Sequence, residues 1–139
     1  MTRLVLDTNV VVSALLWNGP PRLLLEAADK KQIKLFTSVP LLVELADVLH
    51  RRKFRNKIAA SSLAVDEIVS LYAVLTTVVR PVAISLVSAD PDDDVVLGTA
   101  LAASADFLVS GDSHLLNLKS FQGISLMNTN QAIERILQR

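Results

Sequence analysis

Cysteine is absent from this 139-residue chain. Its absence removes disulfides, thiolate zinc sites and cysteine nucleophiles together. Histidine is nearly absent too, with only His50 and His114, so a histidine-built metal site is excluded. A metal bound here takes oxygen ligands, which favours magnesium or manganese over zinc. No charge of one sign dominates: fourteen Lys and Arg balance fourteen Asp and Glu. A net charge of zero creates no global field for a polyanion, and a nucleic-acid partner would need a local basic patch. Long hydrophobic runs are also missing. Residues 8–21 are fourteen positions without a charge, short of the roughly eighteen or more that a membrane span needs, and Asn18, Gly19, Pro20 and Pro21 end the stretch. The chain opens on an apolar segment, without the basic region, apolar run and cleavage site of a secretory leader. A soluble, cytoplasmic protein with no membrane partner is expected. Finally, no Gly-x-Ser-x-Gly elbow occurs, and Asp112-Ser113-His114, although it contains the letters of a hydrolytic triad, cannot form one from adjacent residues.

What the chain does have is apolar substance. Hydrophobic residues make up 51%, enough for a single domain spanning 1–139 with a substantial core. Strand-like and helix-like segments alternate. Residues 3–6 form a short apolar run of the kind found in buried parallel strands, followed by a helix over 8–17. Pro20 and Pro21 suit the start of a second helix reaching about residue 31. A strand over 33–37 precedes a helix to about residue 52, with Leu41, Leu45, Val48 and Leu49 at helical spacing. Further helices are expected over 62–77, from Asp90-Pro91 to about 104, over 113–118 as a short helix or turn, and over 130–137. Strands are expected over 78–83 (weak), 106–110 and 124–127. Such alternation predicts an α/β fold, a three-layer α/β/α sandwich with a mostly parallel central sheet. These folds place their sites beyond the carboxyl ends of the strands.

Four acidic residues stand at the ends or in the middle of apolar elements: Asp7 after Leu4-Val5-Leu6, Glu44 between Val43 and Leu45, Asp94 before Val95-Val96-Leu97, and Asp112 after Leu108-Val109-Ser110-Gly111. Carboxylates are seldom buried without a partner or a metal. Structural roles compete. Asp7 suits an N-cap, Asp90 and its acidic neighbours complement a helix N-terminus, and Asp112 suits a Ser-Gly-Asp turn. Asp47 has Arg51 at i+4 and reads as a surface pair. Glu44 has the poorest structural excuse, because it shares a face with Leu41, Leu45 and Val48. Gathered together, these carboxylates would repel one another unless a divalent cation neutralised them.

The residues resemble a family at this point. Leu-Val-Leu-Asp-Thr-Asn at 4–9 is similar to the opening motif of PIN-domain (PilT N-terminal) nucleases. Val-Glu-Leu-Ala-Asp-Val-Leu around Glu44, Asp-Pro-Asp-Asp-Asp at 90–94 and Phe-Leu-Val-Ser-Gly-Asp at 107–112 resemble the second, third and fourth acidic motifs, in order and over nearly the whole chain. The likeness is greatest to PIN proteins grouped as toxin components of VapBC-type toxin–antitoxin pairs. It implies Asp7, Glu44, Asp94 and Asp112 as the catalytic, metal-holding set. Asp94 is preferred over Asp93 for the third position, and Asp93 is placed as a supporting ligand. Thr8, Asn9 and Ser110 match positions that orient carboxylates or water. The resemblance further implies an RNA substrate, a homodimer and a small cognate antitoxin.

A carboxylate-only site with Mg2+ or Mn2+ suits hydrolysis of phosphodiester bonds and needs no protein nucleophile. Arg51, Arg52, Lys53, Arg55 and Lys57 form the densest basic run and are candidates to hold the nucleic-acid backbone; a solvated helix end is the competing reading. Trp17, the sole tryptophan, is expected to pack against the following helix rather than stack on a base. Two other functions remain open, namely a catalytically idle PIN-like interaction domain and an Asp-based phosphoryl-transfer enzyme. Against the latter, haloacid-dehalogenase-like enzymes carry a second Asp where this chain has Asn9, and the acidic pair and late Lys of receiver domains are not evident.

Overall fold

A computed structural model describes residues 1–84 and 91–137. In chain order the elements are β1 (Thr2–Leu6), α1 (Thr8–Leu16), α2 (Pro20–Asp29), β2 (Ile33–Thr37), α3 (Val39–Leu49), a 3-10 turn (Arg52–Phe54), α4 (Arg55–Ala60), α5 (Val65–Leu75), β3 (Thr77–Val78), α6 (Pro91–Ala102), β4 (Phe107–Val109), α7 (Ser113–Leu116), β5 (Ser120–Phe121), β6 (Ile124–Met127) and α8 (Thr129–Ile136). The strands make one sheet in the order β3-β2-β1-β4-β6-β5. Its pairings are parallel except the last, β5 with β6. The fold is thus the expected α/β sandwich with a mostly parallel sheet. Among the described residues no single helix is long and apolar enough to cross a membrane.

Side-chain alternation along the strands divides the core into two layers. Leu4 and Leu6 of β1, Ile33 and Leu35 of β2 and Val109 of β4 face one way, into a cluster with α1, α2, α3, α5 and α8. Val5, Phe36 and Leu108 face the other way, against Val96, Leu97 and Ala100 of α6. Both faces of the inner strands are covered, which is why β1 reads as a continuous apolar run rather than an alternating one.

From β1 the chain moves outward to β2 and β3, then crosses back to β4 on the other flank of β1. The order of strands reverses at that point, and the carboxyl ends of β1 and β4 open onto the crevice that such a reversal creates. The Asp7 amide donates to the Val109 carbonyl at 2.9 Å, which locks the two strand ends together where each delivers an acidic residue.

Several expected elements changed. The helix expected to run to residue 52 ends at Leu49, and the charged segment after it folds as the 3-10 turn and α4. Phe54 and Ile58, four residues apart, lay half-buried side chains on the core. The weak strand expected over 78–83 is only Thr77–Val78, because Pro81 has no amide to give a ladder. Residues 79–84 instead run along α6, where the Val82 amide donates to the Gly98 carbonyl at 3.0 Å. A Cβ at Gly98 would meet the Val82 carbonyl oxygen at 2.3 Å. Gly98→Ala is therefore expected to destabilise the fold by about 1–3 kcal/mol, read as a lower midpoint in urea. Asp90, expected as a helix cap, lies outside the described residues.

Tyr72 of α5 is 2% exposed, and its hydroxyl makes no hydrogen bond among the described residues. Burial pushes its pKa upward. Above the ordinary tyrosine value of about 10, the unfolded chain releases this proton while the folded one retains it, so stability falls as pH rises. Tyr72→Phe removes the unmatched hydroxyl. It is expected to leave stability unchanged or raise it by about 1 kcal/mol, and to lessen the alkaline loss in denaturant titrations at pH 8 and above about 10.

Candidate metal and nucleic-acid site

A cleft of about 460 Å3 opens at the carboxyl edge of the sheet. Asp7, Thr8 and Asn9 line it from the β1–α1 junction. Pro40, Leu41, Val43, Glu44, Asp47, Val48 and Arg51 come from α3 and its end, Asp92, Asp93 and Val95 from α6, and Asp112 from beyond β4. Four segments far apart in sequence therefore direct carboxylates into one space.

Asp7 is held on both sides. Its Oδ1 accepts from the Thr8 amide at 2.9 Å, and its Oδ2 accepts from the Ser110 hydroxyl at 2.7 Å. Ser110 is fully buried, and its Oγ also accepts from the Asp112 amide at 3.0 Å. One hydroxyl thus ties together the acidic residues at the ends of the two central strands. The Thr8 hydroxyl donates to Oε1 of Glu44, fixing α3 against the start of α1. That contact explains how Glu44 can sit beside the buried Leu41, Leu45 and Val48. The Asp112 Oδ1 accepts from the His114 amide at 2.8 Å and caps α7. Asn9 is exposed on the cleft rim.

The third acidic position differs from the expectation. Asp93, 6% exposed, lines the cleft with Asp7, Glu44 and Asp112. Asp94, preferred from the sequence, borders another pocket, with Pro40, Pro81, Val82, Ala83, Ile84 and Val95. Asp94 follows Asp93 by about 100° around the helix and lies toward Pro81 and Val82 rather than the cleft. The signal was in the sequence: Val96, Leu97 and Ala100, all buried, stand at i+3, i+4 and i+7 from Asp93. Asp92, which reads in the sequence as a helix N-terminal acid, and Asp47, which reads as a surface pair with Arg51, also line the cleft.

Among the described residues, no three of these acids close tightly enough to enclose an ion as direct ligands. Their oxygen donors fit a hard cation that keeps part of its water shell, as magnesium does with few direct carboxylates. Asp7, Glu44, Asp93 and Asp112, which line the cleft, would be the residues to hold such an ion, directly or through water.

Of the basic run, Arg51 lines the cleft, while Arg52, Lys53, Arg55 and Lys57 are exposed on the 3-10 turn and α4. Trp17, expected to pack against the following helix, caps the end of α1 and is 41% exposed. Its ring meets Phe54 edge to face, with centroids 5.9 Å apart. His114 is exposed at the start of α7.

Residues 3–114 match the PIN domain family. The chain belongs to that family. PIN domains are generally nucleases, and they generally use divalent metals. The fold of this PIN domain is similar to that of a chain in the crystal structure of VapBC2 from Rickettsia felis bound to a DNA fragment from their promoter. The TM-score is 0.61 and the identity 17%, over 91% of this chain and 98% of that one. At that identity the likeness bears on fold. No curated protein matches the sequence.

Proposed function

We propose that this PIN domain is a Mg2+- or Mn2+-dependent endoribonuclease and the toxin of a VapBC-type toxin–antitoxin pair. The observation that carries the reading is the cleft at the strand-order reversal, where Asp7, Glu44, Asp93 and Asp112 converge and Ser110 and Thr8 hold them. A divalent ion bound there would acidify a water molecule and neutralise charge on the phosphate and leaving oxygen. Asp7 and Asp93 would hold that ion and orient its water, with Glu44 and Asp112 supplying further oxygen donors. Asp94 takes no direct part. Arg51, on the same wall, places a cation where an incoming phosphate must pass the acids. Ser110 is buried and committed to Asp7 and Asp112, so it serves to position rather than to attack.

The test is a generic single-stranded RNA titrated with Mg2+ or Mn2+, with and without EDTA. Metal-dependent internal cleavage is expected, and single-stranded DNA is expected to be cut less. A pure protein that binds RNA but never cuts it at any metal concentration would instead be an idle PIN-like domain. The toxin assignment draws on the VapBC2 neighbour; co-purification with a small protein that blocks cleavage is its direct check. A homodimer in the cytoplasm completes the proposal. The exposed Leu71 and Val74 of α5 and Leu23 of α2 supply apolar surface for such contacts. Light scattering should return about twice the 15.1 kDa chain mass; a monomer mass would sink that part.

Ser110→Ala removes the hydroxyl shared by Asp7 and Asp112. Cleavage is expected to fall by about 10- to 100-fold, with circular dichroism unchanged. Equal activity would mean that the backbone alone fixes the two acids.

A further inference from the structure

Two routes leave the cleft and meet at an aromatic pair, the exposed Trp17 and the half-buried Phe54. Along the first, α1 begins beside Asp7 and ends one residue before Trp17, whose α-carbon lies about 15 Å further on at 1.5 Å per residue. Along the second, the cleft residue Arg51 leads into the 3-10 turn, where its carbonyl accepts from the Phe54 amide at 3.0 Å. Trp17 and Phe54 meet there at an interplanar angle of 72°. Trp17 remains 41% exposed. Lysine ammonium groups stand over both rings: Lys57 Nζ lies 5.1 Å from the Trp17 centroid and Lys53 Nζ 5.1 Å from that of Phe54.

We propose that Trp17, Phe54, Lys53 and Lys57 form a base-stacking platform for the single-stranded part of the substrate, a few nucleotides from the cut. The proposal rests on the ribonuclease reading for its choice of ligand. Its own basis is the combination of a half-exposed indole, two lysines lying over the aromatic rings and continuity with Arg51. Stacking of bases on aromatic rings beside a cationic track is how proteins hold single strands without reading sequence. Phe54 packs against the indole in a T-shaped contact. The lysines, already over the rings, can shift to neighbouring phosphates when a base arrives. A duplex, whose bases are already stacked on one another, offers no free face to the indole. The platform would therefore select unpaired RNA, which the acidic cleft does not do by itself. Trp17 and Phe54 act as positioning residues.

Trp17 is the sole tryptophan, so its emission reports on the platform alone. The experiment titrates the full chain with oligouridylate of about twelve nucleotides in EDTA, where no cutting occurs, and follows tryptophan emission together with the anisotropy of a fluorescein-labelled copy. Quenching that saturates with the anisotropy is expected, and little quenching by a duplex of equal length. Trp17→Leu should weaken binding about tenfold and raise KM with kcat unchanged, while Trp17→Phe keeps most of the affinity. Lys57→Gln leaves both rings in place and provides a second arm if Trp17→Leu fails to fold; it should weaken binding and flatten the salt dependence. Emission unmoved at saturating RNA, equal quenching by duplex, or wild-type affinity in both Trp17→Leu and Lys57→Gln would overturn the platform. Cleavage without quenching rejects the platform and leaves the nuclease reading standing. Quenching without cleavage under Mg2+ or Mn2+ does the reverse.

Discussion

Asp7→Asn is expected to reduce metal-dependent RNA cleavage by about 10²- to 10³-fold or more, the scale on which a lost charge-stabilising group acts in the transition state, while the fold survives. The two halves of this expectation have separate origins. Structurally, Asp7 caps α1 and accepts from the Thr8 amide and the Ser110 hydroxyl. Asparagine is an equally good cap, keeps the carbonyl oxygen for Thr8 and can turn its amide toward Ser110 Oγ, so the urea midpoint should move little. Chemically, the substitution removes one negative charge from the cleft and one strong oxygen donor to a hard cation. A variant that stays folded, binds RNA and no longer cuts fits the reading. Undiminished cleavage in a preparation free of contaminating nuclease would remove Asp7 from the chemistry and with it the proposed site.

Asp7 also shows why the structural and functional readings of these acids were hard to separate in the sequence. Both roles fall on the same carboxylate, since a residue at a strand's carboxyl end is also the first candidate to cap the following helix. Asp112 repeats the pattern, capping α7 through the His114 amide while it lines the cleft. Glu44 was legible for a different reason. An acid among Leu41, Leu45 and Val48 has no reason to be there unless something polar meets it, and the Thr8 hydroxyl does. Ser110 was placed by motif likeness alone; its link between the two strand ends depends on β1 and β4 being neighbours, which no local pattern announces.

The sheet was legible because β1, β2, β4 and β6 are short apolar runs separated by helical segments. α4 was not. Its sequence is dominated by Arg55, Lys57 and the preceding basic residues, and the apolar signal is reduced to Phe54 and Ile58. Those two half-buried residues are enough to seat the segment on the core, and tertiary packing rather than amphipathic period decides the helix. β5 was also missed, because two residues carry no period. It forms by folding back on β6 through Gln122 and Gly123, both at positive φ, the conformation that a two-residue hairpin turn demands.

Asp93→Asn and Asp94→Asn, compared side by side, are expected to differ by about two orders of magnitude in cleavage, although the two residues are adjacent and chemically identical. Both stand in the first turn of α6, so each loses about the same 0.3–1 kcal/mol of interaction with the helix dipole, and neither should unfold the domain. The difference lies in direction. Asp93 points with Val96, Leu97 and Ala100 toward the sheet edge and lines the cleft. Asp94, about 100° further round, faces Pro81 and Val82. Asp93→Asn should lower kcat by about 10²- to 10³-fold and weaken Mn2+ binding measured by calorimetry. Asp94→Asn should change either quantity by less than about tenfold, the lower limit of an indirect partner's effect. The reverse order, with Asp94→Asn the inactive variant, would mean that α6 turns about its axis when metal and RNA bind, and would return the third acidic position to Asp94.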